Sequence, residues 1–193
     1  MPHGYRRGAH SESWGGGVAL QLAIRHPGSV CRLVVASASY TSDGMQPELH
    51  GMVPSITPGM FAGSPMEAGY QEVAPNPADF PTLVEKLKRL VMTPFAWPAE
   101  EVKRIEAPTM IVVGYADVVR LEHAVEMFRL LGGSAMSDLS SFSGHQLVVL
   151  PGIAHFIPPG SGVLDRAEWL LAIVPPFLDA PPPEAERSAG GGA

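Results

Sequence analysis

Cysteine is all but absent: the chain of 193 residues holds one, Cys31. A single thiol closes no internal disulfide, and at the head of an apolar run it reads as a buried small hydrophobe rather than a nucleophile. That usage suits a reducing compartment, and a cytoplasmic location is the expectation. Metal-ligand spacing is missing as well, because the histidines stand apart and the cysteine has no second ligand beside it, so neither a metal nor a cofactor is expected. Basic runs are also lacking. The net charge of −6 is spread along the chain, which argues against nucleic acid or an anionic membrane as a partner. No stretch approaches the roughly 20 apolar residues of a membrane helix. One stretch imitates a secretory leader, with Arg6 and Arg7 ahead of a modestly apolar run and Ala36-Ser37-Ala38 as a small-residue cleavage site. Arg25, His26 and Arg32 interrupt it.

What is present suffices for one domain with a real core, since 46% of the residues are hydrophobic. Residues 1–10 are polar and basic and show neither alternation nor an apolar run, so no strand is expected there. Gly15 to His26 reads as a helix with Val18 and Leu22 on one face, ended by Pro27-Gly28. Cys31 to Ser37 is a short β-branched run bounded by turn residues, the pattern of a buried parallel strand. From Tyr40 to about Pro108, prolines break the chain into short pieces. One amphipathic helix survives, from about Pro81 to Met92, with Leu83, Leu87, Leu90 and Val91 as its stripe. Scattered methionines and Phe61 and Phe80 suit either a lid over an apolar ligand or an ordinary helical layer. Thr109 to Gly114 and Gln146 to Leu150 are strands; Leu121 to Leu131 and Asp165 to Leu178 are helices. Strands alternating with helices predict an α/β fold, a parallel sheet with flanking helices. The Pro- and Gly-rich tail lacks the apolar groups to order itself.

Ser11-Glu12-Ser13-Trp14-Gly15-Gly16-Gly17 runs straight into the first helix and reads as a nucleophile elbow. Its chemistry needs a serine lifted clear in a tight turn, with helix N–H groups aimed at the charge that develops on a substrate carbonyl. The bland alternative is a Gly/Ser loop capping a helix. In an open parallel sheet, ligands bind beyond the carboxyl ends of the strands, so a catalytic acid or base belongs just after a strand. Asp117 and His155 satisfy that rule, and Asp43 stands as a rival acid. Asp138 and His145 precede the last strand and read as surface residues, while His123 reads as a partly buried helix residue.

Four segments together resemble the α/β-hydrolases of the esterase and haloperoxidase-like kind. They are Ser13 through Pro27, Arg32-Leu33-Val34-Val35-Ala36, Pro108 through Asp117, and Leu150-Pro151-Gly152-Ile153-Ala154-His155. The resemblance implies Ser13 as nucleophile, Asp117 as orienting acid, His155 as general base and the Trp14 backbone N–H as one oxyanion donor. It implies core segments at residues 1–39 and 108–180, a helical cap or lid insertion at 40–107 and a disordered tail at 181–193. Ser11 replaces the first elbow glycine, and Tyr115 stands where such enzymes often carry an acidic residue. The family's N-terminal strands, including the one into the elbow and the loop giving a second oxyanion donor, are missing. An N-terminally truncated reading is therefore the expectation. The implied activity is carboxylic-ester hydrolysis through an acyl-enzyme on a small-molecule substrate. The alternative is a non-catalytic hydrolase remnant binding an apolar ligand or partner, and carbon–carbon or peroxide chemistry by the same triad stays open. Removing the strand into the elbow leaves Leu33 to Ala36 on a bare sheet edge, through which self-association is expected.

Overall fold

Runs of β-branched residues separated by helices can be buried on both faces only as a parallel sheet between helical layers. A computed structural model describes residues 7–133, 144–155 and 160–181, with residues 7–12 described by their backbone. Strand β1 (Arg7–Glu12) leads into helix α1 (Trp14–Arg25) and strand β2 (Val30–Ala36). Helices α2 (Pro47–Met52), α3 (Pro65–Val73) and α4 (Phe80–Met92) follow. Then come α5 (Ala99–Val102), β3 (Thr109–Ala116), α6 (Leu121–Leu130), β4 (Gln146–Ala154) and α7 (Ala167–Leu178). The described strands lie side by side in the order β1-β2-β3-β4, every neighbouring pair parallel.

Successive side chains of a strand point to opposite faces, and the two faces of this sheet have separate cores. Leu33 and Val35 of β2 and Ile111 and Val113 of β3 pack with Ala19, Leu20 and Ala23 of α1 and Ala124 and Met127 of α6. Val34, Ala36, Met110 and Val112, the alternate residues, pack with Leu150 and Ile153 of β4 and Phe177 of α7. Thus α1 and α6 cover one face and α7 covers the other. Each fully buried Leu, Ile or Val contributes about 1.5–3 kcal/mol, so it is this burial that holds the carboxyl ends of the strands in register. The charge inside β2 is also accounted for: buried Arg32 donates from Nη2 to the Pro181 carbonyl at 2.8 Å, its guanidinium 5.1 Å from the Phe177 ring centroid.

Two expectations fail at the N-terminal side. The polar segment before Ser13 does form a strand, β1, whose Ala9, His10, Ser11 and Glu12 pair with Leu33, Val34, Val35 and Ala36. Parallel pairing with an apolar neighbour supplies the hydrogen bonds that the segment's own composition does not advertise. It follows that β2 is paired on both sides and has no bare edge; β1 is the outer strand there. Self-association through Leu33 to Ala36 loses its basis.

The chain divides into two units, one of them residues 46–95. That unit lies within the 40–107 that the resemblance implies for the insertion. Tyr40, Val102, Ile105 and Ala107 belong to the sheet's core, because these apolar side chains have the sheet to bury against. The roots of the insertion are tied together by an antiparallel bridge between Thr41 and Ala96 and by the Trp97 N–H donating to the Tyr40 carbonyl at 3.0 Å. Within residues 46–95, α4 buries Phe80 and Val84, and the Phe80 ring meets Phe61 edge-on at 6.5 Å and Tyr70 at 5.7 Å. Met52, Met60 and Met66 remain exposed. Among the described residues no helix is long and apolar enough to cross a membrane. The tail expected as disordered lies, beyond Pro181, outside the described residues.

Candidate active site

Ser13 joins β1 to α1 in a conformation that L-residues avoid, with φ 54° and ψ −125°. Such a backbone stores about 1–3 kcal/mol and persists only where its surroundings hold it. Here the Ser13 N–H donates to the Ala36 carbonyl at the end of β2 at 2.9 Å, and the Ser13 carbonyl accepts from Gly17 N–H at 3.2 Å, opening the helix. Ser13 occupies the N-cap position yet makes no side-chain cap bond. A serine in that place ordinarily caps the helix; this hydroxyl instead lies 3.2 Å from His155 Nε2. The Trp14 N–H stands in the first turn of α1, next to that hydroxyl in sequence and at the positive end of the helix.

His155 follows the last residue of β4, five residues beyond where the apolar run ends at Leu150, because the strand continues through Pro151-Gly152. Pairing of β3 with β4 shifts register between Gly114 and Ala116, and Gly152 takes φ +68° there. The shift needs Gly114, since a Cβ at that position would sit 2.5 Å from the Ile153 carbonyl oxygen. With its Nδ1 protonated, His155 donates to Asp117 Oδ1 at 3.0 Å, leaving Nε2 to accept from the Ser13 hydroxyl.

The Asp117 side chain is fully buried, and hydrogen-bond donors meet both of its oxygens. Oδ1 also accepts from Val119 N–H at 3.3 Å, and Oδ2 accepts from Gly114 N–H at 3.0 Å and the Ser37 hydroxyl at 2.6 Å. Burial by itself would push the carboxyl pKa up. The hydrogen bonds from His155 and Ser37, the His155 charge and the Gly114 N–H outweigh it and hold the group below its ordinary value. The arrangement thus keeps a charged acceptor against an imidazole whose other nitrogen reaches a hydroxyl, the geometry of nucleophile activation.

The remaining candidates sit elsewhere. Asp43 is exposed; its backbone N–H donates to Thr41 Oγ1 at 3.4 Å and its carbonyl accepts from Arg120 Nη2 at 2.6 Å. His145, expected on the surface, is half-buried, and its Nδ1 accepts from Thr109 N–H at 3.1 Å, so it helps start β3; burial lowers its pKa. His123 is more buried than expected, at 1% exposure. Its Nε2 accepts from Tyr40 N–H at 3.4 Å, its Nδ1 lies 3.3 Å from Glu126 Oε2, and its ring stacks on Tyr40 at 4.6 Å. Burial lowers its pKa against the opposing pull of Glu126. Asp138 lies outside the described residues. Sequence reading missed Ser37. The only available signal was its place directly after β2, at the same end of the sheet as Asp117.

No protein-family model matches the chain, and no curated protein matches it in sequence. Solved structures do match in shape. The meta-cleavage product hydrolase CumD from Pseudomonas fluorescens, complexed with acetates, superposes with a TM-score of 0.59 at 17% identity, covering 89% of this chain and 64% of that one. MGS-M2, an α/β-hydrolase enzyme from a Medee basin deep-sea metagenome library, gives 0.59 at 16% identity, covering 92% and 67%. Carboxylesterase CesB from Bacillus subtilis gives 0.54 at 18% identity, covering 89% and 60%. The chain therefore spans about two thirds of the length of the structures it resembles. With its parallel sheet, its helices on both faces and an insertion between β2 and β3, the chain carries the α/β-hydrolase fold.

Proposed function

We propose that this chain is a serine hydrolase of carboxylic esters or related small acyl compounds, with Ser13 as nucleophile, His155 as general base and Asp117 as orienting acid. The observation that carries the reading is the continuous relay at the strand ends: Ser13 Oγ to His155 Nε2 at 3.2 Å and His155 Nδ1 to Asp117 Oδ1 at 3.0 Å, on a serine held at positive φ. In the proposed reaction Ser13 Oγ attacks the substrate carbonyl carbon while its proton passes to His155 Nε2. The Trp14 N–H faces the developing oxyanion, and Asp117 stabilises the imidazolium. His155 then protonates the leaving alcohol. Water, deprotonated in turn by His155, attacks the acyl carbon and releases the acid with the proton returned to Ser13.

The structures that the chain resembles include a carboxylesterase and a meta-cleavage product hydrolase, which supports an acyl compound as substrate class without choosing among such compounds. Residues 46–95 are proposed to correspond to the family's cap insertion. The test is covalent labelling of the whole chain by a fluorophosphonate, with mass spectrometry of the labelled peptide. Labelling at Ser13 that disappears in Ser13→Ala, together with hydrolysis of a short-chain aryl ester, is the expected result. Equal labelling of both proteins removes Ser13 as nucleophile and leaves the alternative, a hydrolase-shaped binding protein without turnover.

A further inference from the structure

The only described non-glycine residue besides Ser13 with positive φ is Ser37, at φ 49°. For an L-residue that conformation is strained, and glycine would relieve it. The position is therefore one where backbone geometry favours glycine and the chain carries a hydroxyl. Ser37 is 3% exposed, its N–H donates to the Val112 carbonyl at 2.8 Å, and its side chain leaves β2 toward β3 rather than toward solvent. The hydroxyl donates to Asp117 Oδ2 at 2.6 Å, the shortest of that carboxylate's described hydrogen bonds.

We propose that Ser37 is a positioning residue for the reaction, fixing the rotamer and the charge of Asp117 so that Oδ1 faces His155. The proposal rests on the hydrolase reading above. Ser37 has no described contact with Ser13 or His155, so it acts through Asp117 alone. Two donors, Ser37 Oγ just after β2 and the Gly114 N–H of β3, grip Oδ2 and thereby set the carboxylate plane independently of His155. A hydroxyl bound to an ionised, fully desolvated carboxylate makes a charge-assisted bond, the kind worth most when water is excluded. The same bond is among those that keep the Asp117 pKa low despite burial.

The experiment uses the full chain with two variants. Ser37→Gly relaxes the backbone while removing the hydroxyl; Ser37→Ala removes the hydroxyl and keeps the strain, and stands in if the glycine variant does not fold. Fluorophosphonate labelling is read both as stoichiometry and as rate across pH, and the Asp117 carboxyl carbon is titrated by NMR. Expected are unchanged stoichiometry, a rate about tenfold lower, as for loss of one hydrogen bond to a charged group, a deficit that widens as pH falls, and an Asp117 titration displaced upward. A variant that labels fewer chains at the unchanged rate has a merely structural serine, and the proposal is overturned. Wild-type rate with an unmoved Asp117 titration overturns it too. Absence of Ser13 labelling in the unsubstituted chain overturns the hydrolase reading and a catalytic positioning role with it, an outcome distinct from the other two.

Discussion

Asp117 shows at the scale of one residue how burial is made tolerable for a charge. Four described donors meet its two oxygens, so replacing one oxygen by an amide sets donor against donor whichever way the side chain flips. Asp117→Asn should destabilise the chain by about 2–4 kcal/mol and slow Ser13 labelling by about 10³- to 10⁴-fold. Thermal unfolding and labelling kinetics read the two separately, and an unchanged labelling rate would remove Asp117 from the relay. Because its folded pKa is lowered, the stability it contributes is present above the unfolded carboxylate value, about pH 3.9, and lost as pH falls through the lower folded value. His123 is also lowered, so the same sign applies in a higher window: its contribution is complete above about pH 6.5 and is lost as pH falls below it. His123→Gln keeps an acceptor for Tyr40 N–H without a titrating ring. It should flatten the loss of thermal stability just below pH 6.5, with His145, shifted the same way, accounting for what slope remains.

Among the elements, the β3–β4 pair sets the distance on which the site depends. The strands approach so closely at their shifted register that a Cβ on Gly114 would also sit 2.9 Å from the Ala154 carbonyl oxygen, and both obstacles are backbone. Gly114→Ala must therefore push the end of β4 away, and His155 is the next residue along it. The expected result is a folded protein destabilised by about 1–3 kcal/mol whose Ser13 labels much more slowly. If the rate is unchanged, His155 is not held by that strand end. Gly44 is constrained by a side chain instead, since a Cβ there would collide with the buried His123 ring.

On the scale of the whole molecule, neither apolar core of the sheet draws on residues 46–95. The two chain segments that bracket them are already joined through Thr41 and Ala96. Replacing 46–95 by a short Gly/Ser linker should leave a chain that unfolds cooperatively and is still labelled at Ser13 by a small fluorophosphonate. Its preference among esters of different acyl chain length should weaken if the excised unit is the cap. Loss of cooperative unfolding, followed by circular dichroism, would mean that the sheet depends on the insertion after all.

Local pattern was enough for every element whose own side chains say which face is to be buried. The β-branched runs of β2 and β3 were legible for that reason, whereas the helix after Ser13 and α4 were legible as helices with their faces misread: Val18 is 71% and Leu22 39% exposed while Ala19, Leu20 and Ala23 are buried, and α4 buries Phe80 and Val84 while Leu90 stays exposed. The strand-end rule turned their order into Ser13, Asp117 and His155 at one end of the sheet, with Asp43 still in competition. Contacts between distant segments carry no such local mark. The polar β1 exists because β2 offers it a parallel partner, and β4 outruns its apolar stretch because Gly114 lets it pass. His155 meets Asp117 rather than Asp43 because the carboxylate rises between β2 and β4 while Asp43 turns outward. Ser37 could not be singled out from the small residues around it, since only packing decides that its backbone is strained and its hydroxyl is aimed at a buried charge. Sequence determined the strands and helices that carry their own apolar pattern, but not β1 or the short helices α2 and α3; the pairing of strands, which fixes the angstrom-scale distance between Ser13 and His155, 142 positions apart, was decided by the tertiary structure.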